Sequence, residues 1–400
     1  MTTNQERLDQ RRRYTGPVFL KEGFRPLFMA AGTWAALAVP VWVAVWTGTI
    51  SYNGIFAPQV WHIHEMMLGF VAAAVGGFIV TAVPNWTGRL PVRGTPLAGL
   101  ALLWLAGRLA VWFSASIGPI TAGVIDLLYL TALVLCIARE IIAGRNWKNA
   151  PVLVALALLA AANGLFHVDA AGIAETGEIA IRLSIGVMAL LVALIGGRVV
   201  PSFTRNWFAK NDGLEIASPM AGFDRIVLVV SVLALVAWIA RGEESAVGAA
   251  LAVAGLLNLA RLARWRGWKT TGEGLVIILH VGYLWLSVGL TLLGVSMVHD
   301  AMTTAAALHM MTLGAMGTMT LAVMTRAILG HTGRELHAGP ATMAIYIFVT
   351  VAMILRVAFG FAPDIGLIWA SAGFWTAAFA LFVWIYAPMT WRRTPATQPE

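Results

Sequence analysis

A chain of 400 residues that is 59% apolar and 12% charged, with a mean hydropathy of +0.80, has too little polar surface to fold in water, which excludes a soluble globular enzyme. Its formal charge of +8 is carried by basic residues at the ends of apolar runs, the pattern of membrane topology rather than of a nucleic-acid partner. The single cysteine, Cys136, excludes disulfides and thiolate metal clusters.

Residues 1–24 form a polar, basic segment with Arg11-Arg12-Arg13 and none of the features of a cleavable signal. Apolar runs long enough to cross a bilayer then follow at roughly 27–48, 60–83, 95–114, 118–142, 150–168, 178–200, 223–240, 246–265, 273–296, 302–327, 341–360 and 366–388. The sequence therefore predicts an all-α integral membrane protein, one transmembrane domain of about twelve helices over 25–390, and a short tail at 391–400. Arg89, Arg93, Arg139, Arg145, Arg198, Arg205, Arg261, Arg264, Arg326 and Arg392 fall in alternate connections with the N-terminal segment. Asp169, Glu175, Glu178, Glu243, Glu244, Asp300 and Asp364 fall in the others, with Arg241 as the one arginine among them. By the positive-inside rule both termini are cytoplasmic, as for a multi-pass protein of a bacterial inner membrane.

Trp61–Arg89 organises this chain. It opens on His62, His64 and Glu65, runs apolar, and closes on Pro84-Asn85-Trp86, read as a turn, and Arg89. His309–Arg334 repeats the design: His64 and His309 are each followed by a glycine (Gly69, Gly314) and then by Thr-Gly-Arg at matching distances. Gly196-Gly197 to Pro201 and Asn206-Trp207, at the end of span six, is a looser echo without the histidine. Spans two, six and ten are four apart, so the repeat suggests three four-helix units about a pseudo-threefold axis. Small-residue helix packing explains the glycines alone.

Five histidines are expected near the periplasmic third of the membrane: His62, His64, His167, His299 and His309, the last about 10 Å into its helix. Ionisable groups inside a span are costly and face a cavity or a partner, and neutral imidazole is a good ligand for haem iron and copper. His309 and His64 are thus the first candidates to bind a cofactor, and His62, His167 and His299 complete the candidate metal set. His62 and His64 point about 200° apart on a regular helix and share one site only if the helix is unwound there. Edge histidines such as His62, His167 and His299 are equally ordinary interfacial residues, with Asn163 and Asp169 near His167 as partners. His280, deeper in span nine, is a candidate for cofactor binding or a core histidine bonded across helices. Glu65 can relay protons, hold an imidazole N–H or ligate a metal. Asp126 and Arg108 can form an intramembrane ion pair or part of a proton path. Arg182 and Arg356 are candidates to meet an anionic group such as a haem propionate, or to snorkel. Met66, Met67, Met310, Met311, Met316 and Met319 read as gap-filling, although thioether is also a soft copper ligand.

The segments Gly23–Met29, Trp61–Phe70, Gly76–Arg89, Asn163–His167, Gly196–Trp207 and His309–Arg334 resemble the NnrS family of bacterial membrane proteins, along nearly the whole chain. That resemblance implies haem, copper and a part in the nitric oxide response. The twelve spans and the histidines on spans two and ten are also similar to haem-copper oxidase catalytic subunits and their nitric oxide reductase relatives. The paired histidines of span seven and a histidine on span six are missing, so a second metal needs a different ligand set. The expectation is a haem b protein that reduces nitric oxide to nitrous oxide near the periplasmic face. His64 and His309 would bind the haem, and Glu65 and His62 would serve the chemistry. Copper or another second metal would accompany the haem, membrane lipid would surround the chain, and electrons would come from a quinol or a small redox protein. The alternatives are a nitric oxide sensor or scavenger without turnover, and a transporter of a metal or metal–nitrosyl complex.

Overall fold

The computed structural model describes residues 14–211, 213–214, 216, 222–299 and 303–392. Those residues form helices and connections, with no strand among them. Twelve helices are long and apolar enough to cross a membrane: α1 Phe24–Trp46, α2 Pro58–Thr87, α3 Thr95–Trp112, α4 Pro119–Ala143, α5 Trp147–Ala170, α6 Gly177–Asn211, α7 Gly222–Arg241, α8 Ser245–Lys269, α9 Gly274–Ser296, α10 Thr304–His331, α11 Pro340–Ala358 and α12 Ile365–Trp391. This follows from the solvent, because in hydrocarbon every backbone N–H and C=O must be satisfied inside the segment. Proline opens several of them at a first-turn position, as in α2, α3, α4 and α11, where its missing N–H costs nothing. Thr303 and Glu273 cap α10 and α9 by accepting from Ala306 N and Leu275 N.

Two boundaries differ from the sequence reading. Pro84-Asn85-Trp86 is no turn: α2 continues to Thr87 and ends at Gly88, whose φ of 69° is the left-handed cap that glycine adopts without strain. Pro201 likewise lies inside α6, which runs to Asn211. Earlier in each of these two helices lies a stretch where the backbone leaves α-helical pairing.

Those stretches are the most informative local feature. Three segments are π-helical: Glu65–Val71 in α2, Val192–Gly196 in α6 and Met310–Gly317 in α10. These are the three helices whose sequences echo one another, and two of the segments begin one residue after His64 and His309. A π turn widens the helix and re-aims side chains, and it concentrates at functional positions.

The chain divides into two compact units. The first runs to Ser184 and adds Ala327–Arg334 and the segment from Val383. The second comprises Ile185–Arg326 and Glu335–Phe382. In the first unit, buried Arg25 donates to Thr390 O at 2.9 Å and Met389 O at 3.3 Å, and pairs with Glu22 at 3.1 Å. The start of α1 thereby satisfies carbonyls at the end of α12, and this is the role of arginine in Gly23–Met29. In the second unit, α8 and α9 cross with Gly248 against the backbone at Gly294, a contact that any side chain would push apart. Met311 and Met319 of α10 pack onto Gly289 and Gly282 of α9, which is the gap-filling role expected of them.

Candidate metal centre

Four helices of the first unit bring ionisable side chains to one buried place. His64 and Glu65 come from the point where α2 turns π-helical, Arg108 from α3, Asp126 from α4, and Asn163 and His167 from α5. His64 and Glu65 are 0% exposed, Asp126 1% and Arg108 3%. Glu65 is thus enclosed within the helical unit. Arg108 bridges the two acids, donating to Glu65 Oε1 at 2.5 Å and to Asp126 Oδ1. The ion pair of Arg108 with Asp126, one of the two roles open in the sequence, is present.

The imidazoles complete the cluster. His64 Nδ1 lies 3.0 Å from Glu65 Oε1, and its Nε2 lies 3.2 Å from Asp126 Oδ2 and 2.9 Å from Asn163 Oδ1. His167 Nε2 lies 3.1 Å from the same Asp126 Oδ2. Phe56 stacks on His64 with centroids 5.0 Å apart, Phe166 meets it edge-on at 5.4 Å, and His167 does so at 5.5 Å. Tyr52, in the connection before α2, registers the charge of this cluster: burial first, and then the negative charge of Glu65, push its phenol far above the ordinary range.

Charge counting states what such a cluster needs. Two carboxylates against one guanidinium leave an excess negative charge in a medium that does not tolerate it. A carboxylate oxygen faces each ring nitrogen of His64, so one nitrogen of a neutral ring would point its lone pair at an anion. A cation between Nε2 and Oδ2, either a proton or a metal ion, resolves both problems. One ligand atom from each of His64, Asp126 and His167 fits within 4.8 Å of the others. Separations of 3.1 and 3.2 Å between nitrogen and oxygen suit ligands each about 2 Å from one ion. Glu65 holding Nδ1–H of His64 gives the carboxylate–histidine–metal arrangement that fixes a ligating ring. The donor set fits a compact ion. A haem on His64 does not fit, because Phe56, Phe166, Asp126 and Asn163 crowd the ring and its Nε2.

The other sequence candidates fall elsewhere. His62 lies on a regular α-helical turn that begins at Pro58, and its ring stacks on Trp42 with centroids 4.2 Å apart. On such a regular turn His62 and His64 leave the helix in directions about 200° apart, which disfavours one compact site for both. Arg182 pairs with Glu178 at 3.3 Å, while its Nε is buried without a partner. In the second unit, His309 donates Nδ1–H to Ala305 O at 2.7 Å, which fixes the tautomer of its ring. His299 is exposed beyond the end of α9. His280 Nε2 bonds Thr204 Oγ1 at 2.8 Å across helices, the core role weighed for it. Arg356 lies over the Phe359 ring at 5.4 Å, with its Nε buried and unpartnered.

The sequence reading missed a second buried network. Arg261 of α8 pairs with Asp224 of α7 at 2.6 Å, and it donates to Tyr283 OH at 2.9 Å and to Ala193 O at 3.1 Å. Tyr283 in turn donates to Asn258 Oδ1 at 2.6 Å. Ala193 lies in the π-helical segment of α6, so Arg261 satisfies a carbonyl exposed by that segment. In α2, Trp104 Nε1 does the same for Gly69 O at 2.9 Å. Arginine inside an apolar run was the available signal, but Arg261 was read with the basic residues of a connection.

Helices and cluster together define a class: a multi-pass membrane protein with a polar centre, suited to a metal ion, inside one helical unit. The family described as NnrS protein matches residues 18–393, and the chain belongs to that family. Membership implies a role in the nitric oxide response. Comparison with curated proteins returned no match.

Proposed function

We propose that this protein consumes nitric oxide by reducing it to nitrous oxide, at a redox metal held by His64, Asp126 and His167. The observation that supports this reading is the convergence of two imidazole nitrogens and a carboxylate oxygen within 4.8 Å, in a family tied to nitric oxide. Two nitric oxide molecules take two electrons and two protons; a nitrogen–nitrogen bond forms, one nitrogen–oxygen bond breaks, and nitrous oxide and water leave. The electrons come from a quinol or a small redox protein. Copper or iron suits two imidazoles and one carboxylate and supplies one-electron chemistry and a Lewis-acid position.

The chain's own residues do the rest. Glu65 fixes the His64 ring through Nδ1–H and is the acid nearest the ligands for carrying protons inward. Arg108 holds Glu65 and Asp126 in place, and Phe56 and Phe166 exclude water. Haem b belongs to the second unit on this reading. There His309 would hold the iron, and the buried Nε of Arg356 would suit a propionate.

Metal analysis, optical spectra and nitric oxide consumption under excess reductant test the proposal on wild type, His64→Ala, His167→Ala and Asp126→Asn. Wild type is expected to turn over repeatedly and to carry a non-haem metal that the variants lose together with at least ten-fold of the rate. Sustained turnover by a folded variant without that metal overturns the assignment. Uptake that stops once the protein is saturated identifies a scavenger.

A further inference from the structure

Gly69 and Gly314 occupy the same place in the repeated stretch, yet their surroundings differ in kind. The atoms nearest to a Cβ at Gly314 would be carbons of Trp285 and Met353, each 3.1 Å away. A Cβ at Gly69 would lie 2.7 Å from Trp34 Nε1, 2.9 Å from Glu65 Oε2 and 3.0 Å from Arg108 NH1. Three polar atoms from three helices thus converge on the bare face of one glycine. Two of them, Trp34 Nε1 and Glu65 Oε2, are buried without a protein partner, and Glu65 is wholly enclosed. Trp34 belongs to α1, and its ring otherwise meets Trp104 edge-on at 6.1 Å.

We propose that these three atoms hold one buried water over Gly69, making Trp34 a positioning residue for Glu65. Orphaned buried polar groups in native proteins are rare and call for an unseen partner. The available set is two N–H donors and one carboxylate oxygen. Water accepts twice and donates once, which matches that set and the usual count of about three bonds for a buried water. A cation is opposed by the two N–H groups, and an anion is opposed by Glu65. With Oε2 occupied, the plane of the carboxylate is fixed, and Oε1 stays on Nδ1 of His64. A methyl group at position 69 would crowd all three atoms and leave the water less room. The inference rests on Glu65 orienting His64 and does not depend on nitric oxide turnover.

A high-resolution map of the full chain, at a resolution that shows other buried waters, tests this directly. A density peak within hydrogen-bond reach of all three atoms is expected in wild type and is lost in Trp34→Phe. The infrared carboxylate band of Glu65, identified by its disappearance in Glu65→Gln, shifts in Trp34→Phe and stays put in Trp42→Phe. Gly69→Ala repeats both losses where it folds. A map with the indole bonded directly to Glu65 and no peak overturns the proposal, as does a peak or band unmoved by Trp34→Phe. A water present in protein that never turns over nitric oxide leaves this site intact and removes the functional reading instead.

Discussion

Replacing Arg108 by methionine is the sharpest test of how the first unit is held together. Among the described residues its guanidinium is the one lysine or arginine charge in contact with Glu65 and Asp126, which are 0% and 1% exposed. At about 4 Å between charge centres and an effective dielectric near 20, each pair is worth roughly 4 kcal/mol before desolvation. Removing one member of a buried pair typically costs about 3–5 kcal/mol, because the stranded charge stays buried. Arg108→Met is therefore expected to lose about 3–5 kcal/mol. The triple variant Arg108→Met, Glu65→Gln, Asp126→Asn should recover most of that loss, since it buries no unpaired charge. Thermal unfolding in detergent, followed by the fraction of monodisperse protein after heating, gives the order of stabilities. A single variant within about 0.5 kcal/mol of wild type, or a triple variant no better than the single, refutes the reasoning.

Three further outcomes follow from the same structure. His62→Ala removes the stacking on Trp42, worth about 0.5–1.5 kcal/mol, yet should leave bound metal and nitric oxide consumption within two-fold of wild type; metal loss would place His62 in the site. Arg261→Gln should strand Asp224 and Ala193 O and lower stability by about 3–5 kcal/mol, with the metal content of the first unit unchanged on elemental analysis. Between α10 and α11, the hydrogen bond and charge of Glu273 raise the His337 imidazole above its ordinary value. That contact is fully present below the ordinary imidazole range and is lost as pH rises through the raised value. Hydrogen exchange in the 335–339 connection should speed up across that window in wild type and show no such step in Glu273→Gln.

Much of the architecture was legible in the amino-acid order. Bilayer thickness and the need to satisfy every backbone group leave few choices, so twelve apolar runs become twelve helices with boundaries close to those read. The exceptions have local causes: α2 and α6 run past their prolines, and α2 stops only at the left-handed Gly88. The repeated stretches foretold that spans two, six and ten share a design, and all three turn π-helical. Periodicity could not show that, because π turns keep the same residues and change only their pairing.

The site divides along the same line. His64 stood out through the repeated stretch and Glu65 as the acid beside it, while His167 read as an edge histidine equally ordinary at the interface. Which partner each one meets is a matter of distance in space. Asp126 and His167 lie on different helices, 41 residues apart, and no spacing rule joins them, so only packing of α4 on α5 made Asp126 a ligand candidate. The same holds for Trp34, an ordinary tryptophan of α1 in the sequence and a donor beside Glu65 in the fold. Sequence alone determined the solvent, the number of helices and which residues are too polar to be left alone. Tertiary structure decided which of them meet, because side-chain partners are chosen by helix packing and not by order along the chain.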